Sequence, residues 1–130
     1  MTIFSKIING EIPCYKIAED EHYFAFLDIR PLNAGHTLVV TKKEVDYIFD
    51  LEDDEIQGLI LFAKKIAVAI KKSVECERIG MTVIGLEVPH THIHLSPINS
   101  VHDLDFRNTK EFSKEKMQEI AEKIKSNLKI

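Results

Sequence analysis

From His90 to Leu95 the chain reads His-Thr-His-Ile-His-Leu, a strict alternation of imidazoles with Thr91, Ile93 and Leu95. A period of two fits a β-strand and no helix. It puts His90, His92 and His94 on one face and the other three residues on the opposite face. Half of the chain's six histidines sit there, and imidazole suits nucleophilic, proton-transfer or metal chemistry near neutral pH. The stretch is therefore also the first candidate for a working site.

A strand needs partners, and the rest of the chain offers them. Cys14 to Ala18 and Tyr23 to Asp28 read as two strands joined by the polar turn at residues 19–22. His36 to Thr41, rich in β-branched residues, is a third, Gly80 to Gly85 a fourth, and His92 to Ile98 the last. Residues 3–10 place Ile3, Phe4, Ile7 and Ile8 on one helical side, with Gly10 and Pro13 as stops. After Asp50, taken as an N-cap, apolar residues recur at Ile56, Leu59, Ile60, Ala63, Ile66, Ala67, Ile70 and Val74. That is a long helix over 52–74. Leu61, Phe62, Val68 and Ala69 widen its apolar stripe beyond one face, which fits a deep core position or a helix that also covers a partner subunit, the second being the more attractive in a small domain. A polar, irregular stretch at 99–112 reads as a mobile flap. Ser113 then caps an amphipathic helix to Leu128, with Met117, Ile120, Ala121, Ile124 and Leu128 inward. The pattern predicts one α+β domain over residues 1–130, built on a five-stranded antiparallel sheet.

The net charge of −4 argues against a nucleic-acid polymer as ligand, while leaving room for a small anion held by a few groups. Cys14 and Cys76 are far apart and in no metal-like spacing, so reduced thiols in a cytoplasm are expected. No stretch has a signal peptide's apolar run or the roughly 18 apolar residues of a membrane span. A soluble, cytoplasmic protein is the expectation.

Three histidines in register admit a catalytic site, a metal site, or a satisfied polar patch. The first and third, four residues apart on a strand, lie roughly 13 Å apart, too far for one ion. A single-metal site therefore needs a further ligand such as His36.

The residues from His90 to Pro97 resemble the signature of the histidine triad (HIT) family of nucleotide hydrolases and transferases. The opening segment Ile3–Pro13 and the central segments Phe26–Pro31 and Gly35–Val40 resemble that family too, in its nucleotide-binding, Hint-like branch. The resemblance implies a HIT-like fold with a long central helix and a C-terminal helix, a homodimer, and no cofactor. It implies His92 as a nucleophile toward the α-phosphorus of a purine nucleotide conjugate, forming a nucleotidyl-histidine that water releases as AMP or GMP. His94 would contact the phosphate and help protonate the leaving group, with His90 and His36 orienting the nucleophile. Asp28 matches the position that receives the ribose hydroxyls. Phe4, Ile7, Phe26 and Ile29 match the walls of the base pocket, and backbone N–H groups at Glu87 and Val88 would hold phosphoryl oxygens.

Two departures bear on substrate. Many bacterial relatives carry two cysteines near the start and a histidine after the Lys-Lys pair, forming a structural zinc site; here those positions hold Thr2, Ser5 and Glu44. No metal is expected there. The loop before the triad is short, and Leu86 stands where glutamine is common. A nucleoside phosphoramidate is the favoured substrate. The alternatives are a dinucleoside polyphosphate hydrolase, a nucleotide-binding regulatory module with little turnover, and a zinc-dependent enzyme using His36.

Overall fold

Asp20 closes the first hairpin: its Oδ1 accepts the N–H groups of His22 and Tyr23, both at 2.8 Å. In the computed structural model, which describes residues 1–129, that turn joins β1 (Lys16–Glu19) to β2 (Tyr23–Leu27). β3 (Thr37–Thr41), β4 (Arg78–Thr82) and β5 (His92–Ile98) complete the sheet. Its order is β1-β2-β3-β5-β4, with every neighbouring pair antiparallel. Three helices accompany it: α1 (Ile3–Ile8), α2 (Asp53–Ser73) and α3 (Lys114–Ser126).

The sheet is covered on both sides. Ile17, Ala25, Leu27, Val39, Ile93 and Leu95 meet Leu59, Phe62, Ile66 and Ile70 of α2, and Met117, Ile120 and Ile124 of α3. On the opposite face Phe24, Phe26, Leu38 and Val40 pack beneath Phe4 of α1. β2 and β3 are consequently buried at every position. That accounts for their near-continuous apolar sequences, where a half-exposed strand would alternate. Full burial of a large apolar side chain contributes about 1.5–3 kcal/mol, so α2 and the sheet centre supply most of the stabilisation.

Several boundaries move from their expected places, each for a local reason. Asp50 does not cap the long helix. It lies in a 3-10 turn at Ile48–Asp50, after which Leu51 is extended and buried. The helix restarts from Glu52, whose N–H donates to Glu55 Oε1 at 2.9 Å. α1 ends at Ile8, and Gly10, at φ +81°, lets the Glu11 N–H return to Lys6 O at 2.9 Å. β1 starts at Lys16, next to a register irregularity between Lys16 and Ala18. β4 spans Arg78–Thr82 because its pairing with β5 ends at Thr82 opposite His94. Residues 99–112 contain a 3-10 turn at Val101–Leu104 and a backbone bond from Lys110 N–H to Pro31 O. That bond and the Lys110 ammonium on Asn33 Oδ1 turn the expected flap into a strap, tied to the loop before β3.

α2 turns Phe62 and Ala69 into the core but leaves Ile60, Leu61 and Val68 exposed on its outer side. Among the described residues, no helix is long and apolar enough to cross a membrane.

Candidate active site

Strand register decides which side chains meet. Val40 lies opposite His92 and Leu38 opposite His94 on β3, while Thr82 lies opposite His94 on β4. Alternation along β5 sends Ile93 and Leu95 under the helices and leaves His92 and His94 on the face shared with Phe4 and Phe26. β5 begins only at His92, so His90 reaches that face from the preceding turn, where its N–H bonds Val88 O. The three imidazoles do gather: Phe4 is 5.6 Å from the His90 ring and 5.0 Å from the His92 ring, centroid to centroid. The His92 and His94 rings are 5.1 Å apart.

His36 joins them from the start of β3. Gly35, at φ +95°, turns the chain into that strand, and a Cβ there would come within 2.9 Å of Val74. Glycine thus meets both the backbone and the space requirement immediately before a site histidine.

Hydrogen-bond partners fix the tautomer of each ring. His92 Nδ1 lies 2.7 Å from His90 O. A carbonyl only accepts, so Nδ1 carries the proton and Nε2 keeps its lone pair. His36 Nδ1 accepts the Leu32 N–H at 3.0 Å, which puts the His36 proton on Nε2. That N–H donates to His94 Nδ1 at 3.0 Å, leaving the His94 proton on its own Nε2. His90 donates through Nε2 to Thr41 O at 2.6 Å and accepts the Thr2 hydroxyl at Nδ1, also at 2.6 Å. Among the described residues, Ser96 Oγ is the one buried side-chain N or O without a partner. His92 Nε2 and His94 Nε2, which also lack protein partners, therefore face accessible space. A bare lone pair and an N–H stand side by side, as nucleophilic attack on an anionic centre requires.

Burial keeps His36 and His94 uncharged near neutral pH. It pushes His36 down to about 3, helped by the neighbouring His94, and His94 down to about 4, helped by His92. His90 is also lowered, mainly by burial, against the opposing effects of Thr41 O and Glu44. Asp28 Oδ2 lies 3.7 Å from His36 Nε2. That is too long for a hydrogen bond, and a neutral His36 makes no ion pair with it. Burial raises the Asp28 carboxyl, partly offset by the Arg30 N–H that it accepts at 2.9 Å.

Asp28, His36 and His94 each place one potential metal-binding atom within 4.8 Å of the others. A tetrahedral zinc ion holds two imidazole nitrogens about 3.3 Å apart. The 3.0 Å between His36 Nε2 and His94 Nδ1 fits a hydrogen bond better. Thr2, Ser5 and Glu44 form a polar cluster beside His90. Glu44 Oε1 accepts the Ser5 hydroxyl at 2.5 Å and the Thr2 N–H at 2.6 Å, bonds that hold its carboxyl below the usual range. The Thr2 hydroxyl then reaches His90.

The other expected residues are distributed unevenly. Phe4 and Phe26 are buried beside the histidines with their ring centroids 5.7 Å apart, and Ile7 and Val88 pack against them. Ile29 is 70% exposed and stays outside this cluster. Glu87 is an exposed side chain, and among the described residues its N–H and that of Val88 make no hydrogen bond within the protein. The sequence did not point to Thr2, the Thr41 carbonyl or the Leu32 amide. Phe106 was missed as well: its ring lies 4.8 Å from His94 and 6.2 Å from His36. Its one signal was an isolated aromatic in a polar stretch.

Known proteins resemble the chain in both sequence and fold. A family model for the HIT domain matches residues 9–101. An uncharacterized HIT-like protein of Methanocaldococcus jannaschii is 46% identical over 101 residues, which cover 75% of this chain and 78% of that protein. The adenosine 5'-monophosphoramidase of Saccharomyces cerevisiae is 35% identical over 96 residues, covering 73% of this chain and 61% of the yeast protein. A Hit-like protein from Bartonella henselae has a crystal structure similar to this fold at TM-score 0.85 and 32% identity, over 98% of this chain and 96% of that one. The match takes in the wired imidazoles and the strands that carry them, and the chain belongs to the histidine triad (HIT) family.

Proposed function

We propose that the protein hydrolyses purine nucleotide conjugates at the α-phosphate, with a nucleoside phosphoramidate as preferred substrate. One observation carries the reading: the bare His92 Nε2 beside the His94 Nε2–H, both turned to accessible space. Similarity to two yeast proteins named as adenosine 5'-monophosphoramidases supports nucleotide hydrolysis and favours the P–N bond as the one broken.

The reaction has two displacements. The His92 Nε2 lone pair forms a bond to the α-phosphorus while the P–N bond to the leaving amine breaks, the departing nitrogen keeping the electron pair and taking a proton from water. His94 Nε2–H holds a phosphoryl oxygen or the departing atom, and the unpaired N–H groups of Glu87 and Val88 take the remaining charge. Water then attacks phosphorus and releases a proton that replaces the one taken from water in the first step, the P–N bond to His92 breaks with its electron pair returning to Nε2, and AMP or GMP leaves. Because His90 O holds Nδ1–H, the attacking ring cannot turn its wrong nitrogen to the substrate. Asp28 is assigned to the ribose hydroxyls, and Phe4, Ile7, Phe26 and Val88 to the base, with Ile29 at the rim.

The exposed residues Ile60, Leu61 and Val68 on α2 support a homodimer. Sedimentation as a single 14.9 kDa species at micromolar concentration would remove that part. The reaction itself is tested with adenosine 5'-phosphoramidate. Wild type releases AMP, and His92→Ala lowers the rate at least about a thousandfold. AMP binding without release above the variant's background would instead identify a regulatory nucleotide-binding module. Faster cleavage of a dinucleoside polyphosphate would move the preferred substrate to that class.

A further inference from the structure

The strap at 99–112 crosses the histidine face. Leu104 sits over Gly80, where a Cβ would come 3.7 Å from its Cδ2. Beyond Phe106 the chain is fastened twice to the loop that leads into β3. Lys110 N–H donates to Pro31 O at 2.7 Å, and the Lys110 ammonium bonds Asn33 Oδ1. Asn33 is itself held by Pro97 O at 2.9 Å. Two aromatic rings therefore bracket the imidazoles. Phe4 lies beside His90 and His92 at the base-pocket end, and Phe106 stands at 72° to His94 and 75° to His36 at the other end.

We propose that Phe106 is a positioning residue that closes the leaving-group end of the site and shields the His36–His94 hydrogen bond from water. The inference rests on the nucleotide hydrolase reading for what the site does, but not for how the pair is wired. Its reasoning is geometric. The His36 proton donated to Nδ1 fixes neutral His94 in the one tautomer that presents Nε2–H to a substrate. Water admitted beside that bond competes for both partners and favours a charged His94. Phe106 is the ring in contact with both imidazoles on that side, and it is held by the latch to residues 31–33.

The charged groups around the pair are few. Asp28, from the loop after β2, approaches His36, and Glu87 lies near Asp28. His92 neighbours His94 on β5. On the strap, Asp105 and Arg107 flank Phe106 but pair with each other at 2.9 Å. None of these replaces the shielding ring.

The test combines a resting-state measurement with turnover. The His94 imidazole is titrated by NMR in substrate-free wild type, Phe106→Ala and Phe106→Leu, and AMP release from adenosine 5'-phosphoramidate is followed from pH 4.5 to 8. In Phe106→Ala the His94 midpoint rises by a pH unit or more, the acid limb of the rate profile moves up with it, and the rate at pH 7 drops about tenfold. Phe106→Leu, which keeps an apolar cap, stays near wild type. Phe106→Gln keeps the length but admits water, and reproduces the shift should the alanine variant fail to fold. An unchanged His94 midpoint in folded Phe106→Ala or Phe106→Gln overturns the proposal. A shifted midpoint in a protein that releases no AMP supports the shielding role while overturning the hydrolase reading.

Discussion

Two buried hydroxyls, one just before β5 and one within it, should respond to mutation with opposite signs. Thr91 is buried, and its Oγ1 donates to Val45 O at 2.6 Å. Replacing it with the near-isosteric valine removes a satisfied bond and leaves the carbonyl one donor short. Thr91→Val is expected to lower stability by about 1 kcal/mol. Ser96, equally buried, has a hydroxyl with no partner among the described residues. An unsatisfied buried hydroxyl costs about 1–3 kcal/mol, so Ser96→Ala is expected to raise stability by about 1 kcal/mol. Urea midpoints of the two variants check both signs; a Ser96→Ala protein that is less stable than wild type would mean that the hydroxyl is satisfied in solution. The histidines show what could be read at this scale. Their alternation and common face were visible because both follow from a period of two. Their unequal wiring was not, because it runs through the Thr2 hydroxyl, the Leu32 amide and the Thr41 carbonyl, two of them backbone groups that almost any residue would supply.

At the scale of elements, α2 carries a test in which local propensity and packing disagree. Gly58 lies inside the helix, where Gly→Ala ordinarily stabilises by about 1 kcal/mol. Here a Cβ would fall 2.2 Å from Tyr23 Oη, whose hydroxyl is bonded to Glu55 O at 2.8 Å. Alanine must push the tyrosine aside and break that bond, losing the tie between β2 and the first turns of the helix. Gly58→Ala is therefore expected to destabilise by about 1–3 kcal/mol, and Gly58→Ala in a Tyr23→Phe background by less. A thermal shift upward in the single variant would contradict this. The same helix shows why element boundaries are harder to read than element types. Its stripe of apolar residues was evident, yet burial of Leu51 displaced the cap from Asp50 to Glu52. Residues 99–112 failed differently. Their polarity is real, but one phenylalanine and two bonds from Lys110 suffice to fasten the segment to the site.

For the molecule as a whole, the dryness of the site couples stability to pH. His36 and His94 are enclosed by parts that come together only in the folded chain: β3, β5, the 28–35 loop and the strap. Folded, they are pushed down to about 3 and about 4, mainly by burial; unfolded, histidine returns to about 6.5. Between those values the unfolded chain binds more protons than the native one, so stability rises with pH across that window. The contribution is complete above about pH 6.5 and is lost as the solution is acidified toward pH 4, at up to about 1.4 kcal/mol per pH unit for each histidine. The raised carboxyl of Asp28 acts in the opposite sense, since the native state there holds a proton more readily than the unfolded chain. The buried histidines give stability its upward slope between about pH 5 and 6.5. The urea midpoint should fall as the solution is acidified over that range, and that of His94→Gln should fall less steeply, because one of the buried imidazoles held below the ordinary histidine range is gone. The slope is the decisive quantity, since the substitution also changes packing and shifts the whole curve. Equal slopes in wild type and variant would mean that His94 is already hydrated and charged in the native protein at pH 5.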